Sequence, residues 1–371
     1  MSSDIATERA HAPMLEAAPA RLAWIDRARG LGIILVVFGH AVLGLIDANV
    51  APNDPVYRWT VYSIYLFHMP VFFFLAGLVV QSSLNKGPQQ FLISKIWTVA
   101  YPYVLWSLVQ GGLKIVFADN VNSPVHGNLL GHILWDPFDH FWFLYVVMAL
   151  HLMTVLFGGR RLLLLWLAIA TSLLAWIIPD AVWNPDNILH KIARNDIFYA
   201  AGVFLAPYLL NRTTPIIKNP MLWAPLIWAA FAVAAYSAGP VTNFSFREPL
   251  VFPATCLGVF AFLLTAIGWS GVGGRVLSWL GTASMTIFIL HVMASASFRI
   301  IVDQFDLALP VELDILFGTL AGLVLPAIVY VVLSKLGWLH WFGFGAPPKA
   351  WIPKIASWMS GQKAAPRAPP L

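Results

Sequence analysis

Ten stretches of the chain are nearly free of charge and long enough, or almost so, to cross a bilayer. They run over about 30–47, 60–81, 94–117, 141–157, 162–179, 196–210, 221–238, 250–268, 277–299 and 313–334. Polar and charged residues separate them, as loops separate spans. A spanning helix needs about 20 apolar residues, and the sixth stretch falls short of that. Helices are the expected form, because lipid offers no hydrogen-bond partner to a backbone amide. Pro70, Pro102, Pro225, Pro253 and Pro326 lie inside these stretches and predict kinks. The pattern therefore predicts an all-α, polytopic membrane helix bundle of about ten transmembrane helices.

The flanks read differently. Residues 1–20 are polar and rich in Ala and Pro, with Asp4, Glu8 and Glu16. No apolar core precedes a cleavage site there, so a cytoplasmic tail is expected rather than a signal peptide. Residues 345–371 read as a second cytoplasmic tail. Within it Trp351, Ile352, Ile355, Trp358 and Met359 suit a membrane interface. Residues 21–344 are left as one membrane domain.

Composition excludes the soluble classes. Hydrophobic residues make up 59% and charged residues 11% of the 371, with a mean hydropathy of +0.75. Soluble domains carry about 25% charged residues. The single cysteine, Cys256, allows no intrachain disulfide, and its apolar surroundings predict a packed, inert side chain. The net charge of +5 is not gathered into one patch, so no nucleic-acid partner is expected.

The charges instead report topology. With the N-terminus inside and the spans alternating, 16 of the 22 Lys and Arg fall on the inside. Arg58, Lys114, Lys191, Arg194, Arg247 and Arg299 fall outside, together with 13 of the 17 acidic residues. The positive-inside rule thus favours ten spans with both termini cytoplasmic.

Ionisable residues within spans are costly and mark functional candidates. His40, His68, His151 and His291 are such residues. Each can also be read as a packing residue that ties two helices together. Arg29 and His40 are 11 residues apart, which returns to nearly the same helix face about 16 Å further along the axis. An arginine at the mouth suits a phosphate, and a deeper histidine suits proton transfer from a hydroxyl. Spacing alone still leaves the plainer reading ahead, a positive-inside anchor with an unrelated histidine. No His-x-x-x-His, Glu-x-x-His or Cys/His cluster has metal-ligand spacing, so no metal is expected.

Four stretches carry a family resemblance. The first runs from Ile25-Asp26 through Arg29-Gly30 to Gly39-His40. The second is Tyr65-Leu66-Phe67-His68-Met69-Pro70 to Ala76-Gly77, with Ala76 where a serine is usual. The third is His140-Phe141-Trp142-Phe143-Leu144-Tyr145. The fourth is Leu280-Gly281-Thr282-Ala283-Ser284-Met285, leading to Leu290-His291. In this order the chain resembles the acyltransferase-3 family of integral membrane sugar O-acyltransferases, nearest its fucose 4-O-acetylase-like branch.

The resemblance implies an O-acyltransferase. It would move an acyl group, acetyl foremost, from a cytoplasmic acyl-CoA co-substrate to a hydroxyl of a glycan or lipid-linked sugar. It implies that His40 and Arg29 match the family's functional pair, and it favours a catalytic or site-lining role for His68 and His140 and a substrate-binding one for Trp142. It places the chain in a bacterial inner membrane with no tightly bound cofactor. Some relatives carry an added soluble domain; none is expected here, so transfer is expected to finish within the bundle.

Chemistry agrees with that implication. No Gly-x-Ser-x-Gly elbow occurs and Cys256 is isolated. Direct attack by the sugar hydroxyl, with His40 as base, is therefore preferred to an acyl-enzyme. Arg29 is expected to hold the CoA phosphates, with Arg27, Lys95 or Arg161 as candidate helpers. For Asp26, orienting Arg29 or touching substrate stands level with an N-cap role. Tyr145 reads as an interface residue, His291 as a packing hydrogen bond and His151 as structural. The rival class is a transporter or exporter that uses His40 and His68 as a proton relay, although neither inverted repeats nor paired broken helices are evident.

Overall fold

A computed structural model of the chain describes residues 23–48, 55–118, 128–137, 139–178, 182–184, 186–210, 217–307, 309–348, 351–352 and 355. The tail expected over 1–20 lies outside these residues, as does most of the second tail, including Trp358 and Met359.

The described residues are helical, with no strand among them. In chain order the helices are α1 (Ala23–Asp47), α2 (Pro55–Leu84), α3 (Pro88–Lys95), α4 (Tyr101–Val116), α5 (Leu129–Trp135), α6 (Trp142–Leu156), α7 (Arg161–Ile177), α8 (Ile188–Leu210), α9 (Pro220–Val241), α10 (Phe252–Gly268), α11 (Gly271–Gln304) and α12 (Val311–Leu336). Eight helical segments among the described residues are long and apolar enough to cross a membrane. Two expected spans fall outside that group for different reasons. α7 is apolar but only 17 residues long. α8 has 23 residues, but Lys191, Arg194 and Asp196 interrupt its apolar run. Large apolar side chains such as Leu156, Ile177 and Leu222 stand exposed on the outer surface, as a lipid-facing bundle requires.

The prolines divide into two groups. Pro70, Pro225 and Pro326 lie inside α2, α9 and α12, as expected. Pro102 also lies inside a continuous helical run, Pro88–Val116, whereas Pro253 sits in the first turn of α10, where a missing N–H leaves no bond unmade. Ahead of Pro102 the chain makes a π-helical turn over Ile96–Ala100, the insertion that most often accommodates an irregularity in a helix.

Glycines set the two closest crossings. A Cβ on Gly30 of α1 would lie 1.9 Å from the Leu277 carbonyl oxygen of α11, and one on Gly281 of α11 would lie 1.9 Å from the Asp26 carbonyl oxygen. The α2–α8 crossing repeats this. Gly77 meets the Tyr199 carbonyl at 2.0 Å and Gly202 meets that of Phe74 at 2.1 Å on the same measure. Small residues let backbones approach where no hydrophobic effect drives helices together. α12 packs on α11, and α9 on α10.

Cys256 departs from expectation. Its side chain is exposed on α10 rather than packed. An apolar run in a membrane helix serves the lipid face and the core equally, so hydropathy alone does not tell them apart.

Candidate functional site

α1, α2, the turn before α6, and α8 enclose a cavity of about 350 Å³. Its inner wall carries Val36, His40, Tyr65, His68 and His140. The rim carries Trp142, Trp176, Asp186, Lys191, Arg194 and Arg247. An apolar chamber with a few convergent polar groups is the usual form of a small-molecule site.

Each inner residue is placed by local structure. His40 comes from the middle of α1, and among the described residues no protein group holds its ring by a hydrogen bond. His68 lies two residues before Pro70 of α2. Its Nδ1 lies 2.8 Å from the Ile64 carbonyl oxygen, so Nδ1 carries the hydrogen and Nε2 is left as a lone pair. His140 sits in a 3-10 turn over Asp139–Phe141 that starts at a positive φ of 49° on Asp139. Lys114 grips the Asp139 carboxylate at 2.5 Å and pins this turn to α4. Ring centroids place His40 6.2 Å from Tyr65 and 6.2 Å from His140. Tyr65 lies 4.6 Å from His68. The Tyr65 hydroxyl is buried with no hydrogen-bond partner among the described residues.

The rim is built from helix ends of α6, α7 and α8 and from the loop residues Asp186 and Arg247. Arg247 donates to Asp186 at 2.7 Å, and this hydrogen bond holds the Asp186 carboxyl below its usual pKa. Arg194 of α8 donates to the Phe246 carbonyl at 2.7 Å. Lys191 stands over the Trp142 ring, 5.9 Å from its centroid. Aromatic faces beside charged groups are what a ring carrying hydroxyls needs for stacking and hydrogen bonding.

His40, His68, His140 and Trp142 are thus brought to one cavity. Arg29 and Asp26 are not among its lining residues. Between Arg29 and His40 the same face of α1 presents Gly32 and Val36. Val36 lines the cavity, while the Phe72 ring covers Gly32, 2.9 Å from where its Cβ would be. Phe72 packs in turn on Phe143. The stripe expected from spacing is present, but an aromatic ring stands on it between the two residues.

Asp26 lies inside the first turn of α1 rather than capping it, and its carboxylate meets Arg29 at 3.5 Å. Lys95 lies near enough for the charge of Arg29 to act on it. Arg27 is committed elsewhere. Its guanidinium donates to the Ala266 and Ile267 carbonyls at 2.8 and 3.1 Å, satisfying the free C-terminal end of α10.

The residues that spacing passed over are Tyr65, Lys191, Arg194 and, behind the cavity, His291. His291 does make a packing hydrogen bond, from Nδ1 to the Phe288 carbonyl at 2.7 Å, but it also stands beside two other histidines. Its ring lies 5.1 Å from His40 and 4.9 Å from His140. No signal on a single helix reports which helix stands opposite it. His151 hydrogen-bonds Tyr199 at 2.9 Å, away from this cavity. Among the described residues no group of three His, Cys, Asp or Glu side chains is placed to hold a metal ion.

Known proteins share this chain's sequence pattern. A family model described as an acyltransferase domain matches residues 22–345. The inner membrane protein YcfT of Escherichia coli (strain K12) is 22% identical over 213 residues, 50% of this chain and 57% of that protein. The nodulation protein NolL of Sinorhizobium fredii (strain NBRC 101917 / NGR234) is 23% identical over 200 residues, 53% of this chain and 52% of that protein. The chain therefore spans about half the length of the curated relatives it matches. No solved structure matches it.

Proposed function

The chain belongs to the acyltransferase-3 family, its domain match covering residues 22–345, and on that footing we propose that it is a membrane O-acyltransferase acting on carbohydrate. The acyl donor is an acyl-CoA, acetyl-CoA foremost, that approaches from the end of α1 carrying Arg29. Arg29 and Lys95 bind its phosphates, for which a guanidinium offers bidentate geometry. The acceptor is a glycan or lipid-linked sugar that enters the cavity from the opposite face, with its ring against Trp142 and Trp176. On this reading the membrane is the bacterial inner membrane and the Arg29 end is cytoplasmic.

The supporting observation is the placement of His40. It faces a chamber with an amphipathic, aromatic rim on one side and stands 11 residues along the same helix from an arginine on the other. In the reaction His40 takes the proton of the sugar hydroxyl. The oxygen attacks the thioester carbonyl, the C–S bond breaks, and the proton passes to the departing sulfur. The carbonyl oxygen gathers negative charge on the way, and the Tyr65 hydroxyl is the donor available to meet it. The Phe72 ring must swing off Gly32 for the acyl group to reach His40.

Purified protein in liposomes with labelled acetyl-CoA and a surface glycan tests the proposal. Label is expected to enter the glycan as an alkali-labile ester. His40→Ala is expected to abolish this while eluting normally by size exclusion. Flux of the glycan without covalent change, or a His40→Ala rate equal to wild type, would overturn it.

A further inference from the structure

The rings of His40, His140 and His291 meet where α1, the turn before α6, and α11 converge. Nδ1 of His291 faces the carbonyl oxygens of Phe288 at 2.7 Å and Ile287 at 3.2 Å. A carbonyl oxygen only accepts, so Nδ1 carries the hydrogen and Nε2 holds a lone pair. His291 is fully buried, and its Nε2 has no hydrogen-bond partner among the described residues. Such a group is costly to leave unmade, by about 1–3 kcal/mol. The complement of a ring lone pair is an N–H.

Two rings are near enough to supply one. His140 lines the cavity, and both its nitrogens are buried and unpaired. The Ile289 carbonyl oxygen beside it accepts from Gln110 at 2.6 Å and has a second lone pair within reach of the His140 ring. His140 itself belongs to the cavity wall, where a substrate hydroxyl can meet its ring. His291 does not line the cavity, so His40 and His140 are the ring partners open to it. A ring rotation of His40 across the 5.1 Å centroid separation brings a nitrogen into reach of His291 Nε2. Hydrogen bonds at catalytic sites are often open without substrate and close once it binds.

We infer that His291 is a positioning residue for His40: its Nε2 accepts the ring N–H of His40 and leaves the other nitrogen of His40 as a lone pair facing the cavity. The inference rests on the reading of His40 as base. When that nitrogen takes the hydroxyl proton, the second N–H stays bonded to His291 and the imidazolium charge is shared. When the proton leaves with the sulfur, both rings are neutral again. The arrangement follows the logic of a base oriented by a third group, with an imidazole where a carboxylate is usual.

Three variants of the full chain in liposomes test this. His291→Phe keeps the ring volume and removes both nitrogens. It is expected to lower kcat about 10²-fold, with KM for donor and acceptor unchanged within about twofold. His291→Gln places an amide oxygen near the Nε2 position and is expected to recover part of the loss. His291→Asn reaches only the Nδ1 position and is expected to recover none. A His291→Phe protein with wild-type kcat, beside an inactive His40→Ala, would overturn the inference and leave the proposed function standing. A fully active His40→Ala would remove the proposed function itself. Should the Phe variant fail to fold, Gln against Asn decides: equal kcat values overturn the inference, and a tenfold advantage for Gln supports it. Stoichiometric zinc or iron in the purified wild type would also overturn it, because a metal would then claim the unpaired nitrogens.

Discussion

An enclosed tyrosine hydroxyl with no partner works against the fold, since burying a polar group unpaired costs about 1–3 kcal/mol. Tyr65 is in that position, beside His40 and His68 on the cavity wall. If its hydroxyl serves the developing oxyanion, Tyr65→Phe should separate activity from stability. The melting temperature in detergent should hold or rise, because an unsatisfied group has been removed. The kcat should fall by about 10²–10³-fold, the cost of losing one oxyanion donor. A variant that melts like wild type and turns over like wild type would take Tyr65 out of the chemistry. At this scale the sequence was informative where a polar residue breaks an apolar run. His40 and His68 stand out for that reason, and His140 and Trp142 stand out at the mouth of a span. Tyr65 does not, because a tyrosine in a membrane segment looks like any interface aromatic. The partner of His291 was hidden for a different reason: His40 is about 250 positions away, and nothing local on α11 points to α1.

Helix pairs are held by their smallest residues. Gly77 and Gly202 bring the α2 and α8 backbones together, and α2 carries His68 and Tyr65 while α8 carries Lys191 and Arg194. Loosening this crossing would move one wall of the cavity against the other. Gly77→Val puts side-chain carbons where the Tyr199 carbonyl stands, 2.0 Å from even a Cβ, and backbone cannot step aside as a flexible side chain can. The expected loss is about 1–3 kcal/mol or more, read as a lower melting temperature together with lost activity. Gly112 on α4, where a Cβ meets nothing within 4 Å, supplies the control, and Gly112→Val should melt within a degree or two of wild type. Equal melting of the two variants would mean that the crossing is not tight. Gly30, Gly77 and Gly281 all belong to the stretches that carry the family resemblance, and close packing gives a physical reason for each. Their role was unreadable from spacing alone, because a glycine in a helix does not name the backbone it faces. α8 is longer than its apolar stretch for a related reason. Lys191, Arg194 and Asp196 end an apolar run in sequence, yet the helix runs on through them to Ile188. Asp196 is buried against Thr171 and Ser172 of α7, and the two cations line the cavity rather than meeting lipid.

The two ends of the bundle differ in charge, and function depends on which faces which compartment. One end gathers Lys114 with Asp139, Arg247 with Asp186, and Arg299 donating to the Gly44 carbonyl. The other holds Arg27, Arg29 and Lys95. Every one of these contacts joins residues that the alternating topology puts on the same side, so the charge count and the three-dimensional packing give one consistent polarity. The direction of that polarity is a separate question, and the positive-inside rule predicts the Arg29 end in the cytoplasm. Single cysteines test the answer in a Cys256→Ser background. Val182 is exposed in the loop before α8, on the Asp186 side, and Asn85 is exposed between α2 and α3, on the Lys95 side. In intact cells a membrane-impermeant maleimide should label Val182→Cys and leave Asn85→Cys untouched until the membrane is opened. The converse pattern would put Arg29 outside, away from any cytosolic acyl-CoA. Two-sided transfer would then require the donor to come through the aromatic rim instead of past Phe72, and Arg29 and Lys95 would lose their proposed ligand while the histidine cluster kept its geometry.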